Sequence, residues 1–126
     1  MLVTRENLTE LQLSVMKALW QIGEGGVAEI AALLAADGRD LAPTTVATLL
    51  QRLSKQGWVK HRKNGRQFLY RAGVKQDEAA RGVLKRVLHS FFGGKVSMMT
   101  AQLLESEEVS PEDLRELRKL IKGNGG

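Results

Sequence analysis

The sequence contains no cysteine, and aromatic residues make up only 5% of it. Without thiols the chain can form neither disulfides nor thiolate metal sites, and such a composition fits a reducing cytoplasm. No apolar run approaches the length of a membrane-spanning helix, and the first residues lack the apolar segment of a secretion signal. We therefore expect a cytoplasmic protein with no membrane insertion.

Patterns of catalytic or metal-binding residues are also missing. The two histidines, His61 and His89, have no acid or second histidine at the spacing of a catalytic pair or a metal site. The glycine doublets at 25–26 and 93–94 lack the context of a phosphate-binding loop. We expect no enzymatic activity, no metal and no cofactor.

Negative charge is absent from one long block of the chain. Residues 41–76 contain no Asp or Glu, although the whole chain has 14 acidic residues against 19 Lys and Arg and a net charge of +5. The basic residues of this block are Arg52, Lys55, Lys60, Arg62, Lys63, Arg66, Arg71 and Lys75. An acid-free basic block within a folded pattern is typical of a protein that binds a polyanion such as double-stranded DNA.

Apolar periodicity and capping signals predict three helices before residue 57. Thr9 and Gln12 resemble a capping box at the start of a helix over residues 9–22. After a flexible, glycine-rich segment at 23–26, a second helix is predicted over residues 27–36. Pro43 suits the first turn of a third helix, which should extend to about residue 56.

The third predicted helix has two different faces. Its apolar stripe consists of Val46, Leu49, Leu50 and Leu53. The opposite face carries hydrogen-bonding and basic side chains but no acid: Thr44, Thr45, Thr48, Gln51, Arg52 and Lys55. A solvent-exposed face of an ordinary helix would usually include Glu or Asp, so this face is a candidate for contact with DNA.

A basic β-hairpin is predicted directly after this helix. Residues 58–63 and 66–71 should form two strands joined by a turn at Asn64-Gly65, because both of these residue types tolerate positive φ. Phe68 and Tyr70 share one face and are expected to pack downwards. The order of two helices and a basic hairpin is typical of a winged helix–turn–helix, whose second helix enters the major groove while the wing contacts the backbone. The wing residues expected to contact DNA are Arg62, Lys63, Asn64 and Arg66.

The remainder of the chain is predicted to be helical. One long helix should extend from residue 75 to a break at Gly93-Gly94, another apolar helix should follow, and Ser110-Pro111 should begin the last one, with residues 123–126 fraying. Three broad apolar faces in about 50 residues are most simply buried against a second copy. A monomeric mini-bundle is the alternative. The residues expected at the dimer interface are Leu84, Val87, Leu88, Phe91, Leu114, Leu117 and Leu120.

The expected fold is therefore mainly α with a small β-hairpin wing. It consists of a winged helix–turn–helix DNA-binding domain at residues 1–74 and a helical dimerisation region at residues 75–126.

The chain resembles the penicillinase-repressor (BlaI/MecI) family of bacterial transcriptional repressors. The resemblance is carried by LTELQLSVMKALW (8–20), APTTVATLLQRLSKQGWVKHRKNGRQFLYR (42–71), EAARGVLKRVLHSFFGG (78–94) and EVSPEDLRELRKLI (108–121). It implies a homodimer that represses transcription by occupying a palindromic operator.

The resemblance also implies a route of release. Members that respond to β-lactams are inactivated through a membrane-bound sensor protease, which causes cleavage at an Asn-Phe pair in the C-terminal region. The aligned position here is Gln102-Leu103, so the usual pair is absent. The copper-sensing branch uses a C-terminal cysteine cluster, which this chain lacks. Two other functions stay open: a winged-helix regulator released by a small molecule, and a winged helix used for protein–protein contact.

Overall fold

A computed structural model of the chain describes residues 7–124. Its helices are α1 (Glu10–Ile22), α2 (Val27–Ala36), α3 (Pro43–Lys55), α4 (Gln76–Phe92), α5 (Val96–Glu105) and α6 (Pro111–Asn124), and its strands are β1 (Glu24–Gly25), β2 (Val59–Asn64) and β3 (Gln67–Ala72). The chain divides into two compact units, Met1–Arg81 and Gly82–Gly126, here called the first and second units. Predictions for residues 1–6 and 125–126 lie outside the described residues.

The first two helices begin and end as the sequence predicted. At the start of α1, the Gln12 N–H donates to the Thr9 hydroxyl and the Thr9 N–H donates to the Gln12 side-chain oxygen, each at 3.1 Å. This reciprocal pair is a capping box. Gly23, with φ of 83°, ends the helix, because glycine adopts this conformation without steric cost. The bounds of α2 equal the predicted range of 27–36.

The third helix buries its apolar stripe in the core of the first unit. Val46, Leu50 and Leu53 are fully buried, while Leu49 is half-buried at the margin. The core also contains side chains from α1, α2 and the hairpin: Val15, Met16, Leu19, Ile30, Leu34, Trp58, Val59 and Tyr70. This burial fixes the opposite, polar face of α3 towards solvent.

The hairpin forms, but its predicted turn was wrong. Asn64 pairs with Gln67, so the two-residue loop is Gly65-Arg66 instead of Asn64-Gly65. Within the described chain, Gly65 has positive φ (65°) and Asn64 does not. Glycine at the first loop position is the requirement of a type II′ turn. Compared with the predicted pairing, each residue of β2 pairs with the residue two positions further along β3. Because side chains alternate between the faces of a strand, a shift of two changes the cross-strand partner of each side chain but not its face.

The expected packing of the two hairpin aromatics is half correct. Tyr70 is buried, but Phe68 is 44% exposed. Phe68 lies two residues nearer the hairpin tip than Tyr70, and the core does not extend that far. The expectation that both rings pack downwards was therefore wrong for Phe68.

The segment predicted to be flexible contains a short strand. Glu24 and Gly25 pair with Arg71 and Tyr70, which gives a three-stranded antiparallel sheet in the order β1-β3-β2. A Cβ on Gly25 would lie 2.6 Å from the Ile22 Cδ1, so the glycine allows this close approach. A two-residue strand has no periodicity and therefore leaves no signal in the sequence.

The second unit has the predicted helices but little burial of its own. At the start of α6 the Asp113 N–H donates to the Ser110 hydroxyl at 3.1 Å, and the Ser110 N–H donates to the Asp113 carboxylate at 3.0 Å. Residues 123 and 124, which were predicted to fray, belong to α6. Among residues 82–123, whose burial is described, not one is buried.

Candidate nucleic-acid interface

The polar face of α3 is exposed along its whole length. Thr44, Thr45, Thr48, Gln51, Arg52 and Lys55 are all exposed, on the helix side opposite the buried stripe. α2 and α3 pack against each other and are joined by residues 37–42, which is the arrangement of a helix–turn–helix. The Thr48 hydroxyl donates to the Thr44 carbonyl at 3.0 Å, so this hydroxyl has only its acceptor lone pairs left for a ligand.

The hairpin is attached directly to the end of α3. The Trp58 N–H donates to the Leu53 carbonyl at 2.9 Å, which turns the chain into β2. Ser54 Oγ lies 3.1 Å from Nδ1 of His61, and this contact joins the last turn of α3 to the middle of β2. The His61 ring also packs edge-on against the ring of Phe68, with 5.3 Å between the ring centroids, and its centroid lies 5.8 Å from that of Tyr70. The spacing of residues along the chain does not predict this role for His61, because the role depends on how α3 packs beside β2 and on which residues oppose one another across the hairpin.

The wing residues predicted to contact DNA lie at or near the hairpin tip. Lys63, Asn64 and Arg66 are exposed there. Lys60 and Arg71 are exposed as well and directly oppose each other on the two strands, although neither was predicted as a site residue. Alternation from the buried Val59 would have placed Lys60 outwards.

Arg62 has a partner that the sequence did not predict. Its Nε lies 2.9 Å from Oε2 of Glu24, and its Nη2 lies 2.8 Å from Oε1 of the same carboxylate. These hydrogen bonds from Arg62 hold the pKa of Glu24 below its ordinary value, and the same bonds raise the pKa of Arg62. Thus one of the four predicted wing contacts is engaged within the protein.

The side chains of this surface are suited to recognising nucleic acid. Hydroxyl, amide and guanidinium groups of α3 can match the donors and acceptors of base edges, and the wing cations can attract phosphate. Within residues 7–124 no group of three or more His, Asp or Glu converges as a metal site would require. In the same range no helix has both the length and the apolar character needed to cross a membrane.

In this chain α3, the second helix of the helix–turn–helix, is exposed and acid-free on one face and is followed by a basic wing. These features define a winged helix–turn–helix protein of the DNA-binding class. The chain belongs to the penicillinase repressor family, which it matches over residues 8–123. It is therefore a DNA-binding transcriptional repressor, as the family resemblance implied.

Known relatives are similar in sequence and in fold. The penicillinase repressor of Bacillus licheniformis is 27% identical over 115 residues, covering 91% of this chain and 89% of the relative. The solution structure of Bacillus licheniformis BlaI in its monomeric form, in complex with the blaP half-operator, is 28% identical with a TM-score of 0.50, covering 60% of this chain and 90% of that one. The DNA-binding domain of the repressor BlaI has a TM-score of 0.52 at 27% identity, covering 61% of this chain and 93% of that one.

Proposed function

We propose that this protein represses transcription by binding a palindromic operator as a homodimer, with α3 in the major groove and the wing on the DNA backbone. The observation that carries this proposal is the exposed, acid-free face of α3 on a helix whose opposite side is anchored by the buried Val46, Leu50 and Leu53. A recognition helix anchored in this way presents its side chains at fixed positions, which base recognition requires.

In this proposal the residues of α3 and those of the wing contact different parts of the DNA. Thr44, Thr45, Thr48 and Gln51 read base edges, and Arg52 and Lys55 are shared between bases and phosphates. Lys63, Asn64 and Arg66 contact the backbone beside the major groove. The BlaI relative was solved in its monomeric form with a half-operator, which supports one chain on each half-site. Two chains on a palindrome place their half-sites about 10 bp apart, or a multiple of that spacing.

Dimerisation belongs to the second unit in this proposal. Several of its large apolar side chains are exposed in the single chain, with Phe91 at 78%, Leu120 at 59% and Leu84 at 54%, while Val87, Leu88 and Leu114 are half-buried. Large apolar side chains exposed in such number are typical of an interface with another protein. The proposed interface residues are Leu84, Val87, Leu88, Phe91, Leu114, Leu117 and Leu120. We propose residues 1–74 as the DNA-binding domain and residues 75–126 as the dimerisation region. The first compact unit extends seven residues beyond this proposed boundary, to Arg81.

Release from the operator proceeds by cleavage in α5, through a membrane-bound sensor protease pathway. Gln102 and Leu103, at the position aligned with the family's cleavage site, are exposed near the end of this helix. No side chain of α5 is buried, so the helix opens locally at low cost and can enter a protease as an extended segment. The cut would disconnect α6 and weaken the dimer without altering any DNA contact.

The test of DNA recognition uses α3. A DNA duplex selected from a random library by the full-length protein is the probe, and fluorescence anisotropy measures its affinity. Gln51→Ala and Thr45→Ala should each weaken binding by about 1–3 kcal/mol and relax base preference at one position of each half-site. Gln21→Ala, which removes an exposed glutamine from α1, is the matched control and should leave affinity unchanged. Unaltered affinity and sequence preference in both α3 variants would contradict the proposal.

A further inference from the structure

Glu24 is an acidic residue that reaches into the basic wing. It stands on β1, at one edge of the sheet, and Arg62 stands on β2, at the other edge. Glu24 pairs with Arg71 on the central strand, and Arg71 pairs with Lys60. Since Lys60 and Arg62 are two residues apart on one strand, all four side chains share a face of the sheet. The Glu24–Arg62 contact therefore spans the full width of the sheet.

The contact is bidentate, which is the strongest geometry for a guanidinium and a carboxylate. Two nitrogens of Arg62 each donate to a different oxygen of Glu24, at 2.9 and 2.8 Å. This planar pair of donors fits a carboxylate and a phosphate equally well, so the two anions compete for it. While Glu24 is bound, that edge of Arg62 cannot hold a phosphate.

Stability does not account for this pair. The side chains of Arg62 and Glu24 are 53% and 31% exposed, and ion pairs exposed to this degree contribute little to folding. What the pair does control is the position of a positive charge on a surface that otherwise attracts phosphate.

We propose that Glu24 is a positioning residue that holds Arg62 on the sheet as an internal counterion, so that Arg62 does not contact the DNA backbone. The wing then grips phosphate through Lys63 and Arg66, and Glu24 lowers both the sequence-independent affinity for DNA and its dependence on salt. This inference rests on the proposed function, because it concerns the strength of the same DNA contact.

The salt dependence of binding distinguishes this role from a structural one. Each phosphate contact adds about 0.9 to the slope of log affinity against log salt. Full-length variants are titrated by anisotropy with the library-selected duplex and with a random-sequence duplex. For each bound protomer, Glu24→Gln should free Arg62, steepen the slope by about 0.9 and tighten binding to both duplexes by roughly fivefold to tenfold at 0.1 M salt. Arg62→Ala should leave the slope unchanged, whereas Lys63→Ala should lower it by about 0.9 per protomer.

Two controls separate the release of Arg62 from the loss of a negative charge. Glu29→Gln removes the same charge from another exposed position of the first unit, on α2, and should change the slope much less than Glu24→Gln. In the Arg62→Ala background, Glu24→Gln should lose its effect on the slope. Thermal unfolding of each variant should be unchanged, since the pair is exposed, and this confirms that every variant is folded.

Three results would overturn the inference. In the first, Arg62→Ala lowers the salt slope as much as Lys63→Ala does. In the second, Glu24→Gln and Glu29→Gln change the slope equally. In the third, Glu24→Gln still steepens the slope in the Arg62→Ala background. In each of these cases the wild type still binds the selected duplex, so the proposed function stands and only the role of Glu24 falls. If the wild type bound no DNA at any salt concentration, the proposed function would fail and the inference with it.

Discussion

The two units of this protein both contain helices with large apolar side chains, but within the described residues only the first unit has a buried core. In the first unit, side chains such as Met16, Leu50 and Leu53 are fully buried between helices and the sheet. In the second unit, residues 82–123 contain no buried side chain, and Leu120 and Ile121 are 59% and 69% exposed. Apolar content alone therefore does not determine burial. A core also needs elements that can close around it, as three helices and a sheet do in the first unit.

The local signals of the two units are equally good. α1 begins with a capping box at Thr9 and Gln12, and α6 begins with an equivalent one at Ser110 and Asp113. Both boxes satisfy backbone donors that a helix end leaves unpaired. Helix formation therefore follows local chemistry, whereas stability of the unit follows packing. We expect the first unit to be stable alone and the second to depend on a partner chain.

The largest expected effect comes from removing most of the second unit. A chain truncated after Gly94 should keep the first unit folded but sediment as a monomer. Its affinity for the full palindrome should fall by about 100-fold or more, because two linked half-site contacts become independent. Both tryptophans, Trp20 and Trp58, belong to the first unit, so their fluorescence during urea unfolding reports its stability. Palindrome binding as tight as that of the intact chain would refute the division of roles.

A leucine from each unit should differ in its effect on stability. Leu50→Ala removes a fully buried side chain from α3 and should lower the free energy of unfolding by about 2–5 kcal/mol. Leu120→Ala removes an exposed one from α6 and should shift the tryptophan-monitored unfolding by about 0.5 kcal/mol or less. The same Leu120 variant should raise the dimer dissociation constant measured by sedimentation equilibrium. Equal losses of stability in the two variants would show that the second unit has a core of its own within one chain.

The two capping boxes provide a smaller and more local test. Thr9→Ala should lower the stability of the first unit by about 1 kcal/mol, seen as a shift in the tryptophan-monitored midpoint. Ser110→Ala should leave that midpoint unchanged and instead speed hydrogen exchange at the start of α6, where it removes the acceptor of the Asp113 N–H. A shift of the tryptophan midpoint by Ser110→Ala would mean that the two units unfold together.

The smallest expected effect concerns the ionisation of Glu24. Hydrogen bonds from Arg62 lower its pKa below the ordinary 4.5, so the pair is intact above pH 4.5 and is lost as pH falls through the lowered value. An NMR titration of the Glu24 carboxyl should therefore give a midpoint below 4.5 in the wild type. Arg62→Ala should return this midpoint towards 4.5, while Lys63→Ala should not move it. An identical midpoint with and without Arg62 would show that the pair does not persist in solution.

Much of the first unit and of its candidate site follows from the sequence. The spacing of apolar residues and the capping signals predicted the bounds of α2 and the buried stripe of α3. They did so because residues three and four positions apart lie on the same face of a helix. The same reasoning identified the acid-free polar face, since opposite sides of one helix must have opposite exposure. The hairpin was predicted from two short alternating segments around a glycine. Its loop was misplaced by one residue, because Asn-Gly and Gly-Arg can both form a two-residue turn and alternation alone does not distinguish them.

Three features follow from residue type and spacing along the chain alone: the winged-helix order, the basic block and the family. Only the tertiary structure decided that Glu24 and Gly25 form a strand, that Arg62 is held by Glu24 and that His61 joins the wing to α3. His61 is only seven residues from its partner Ser54, but the two residues lie in different elements, β2 and α3. The contacts of β1 join residues that are far apart in sequence, since Glu24 is 38 residues from Arg62. No periodicity links such residues, and they meet because the burial of Val59 and Tyr70 fixes the register of the sheet and brings β1 alongside β3.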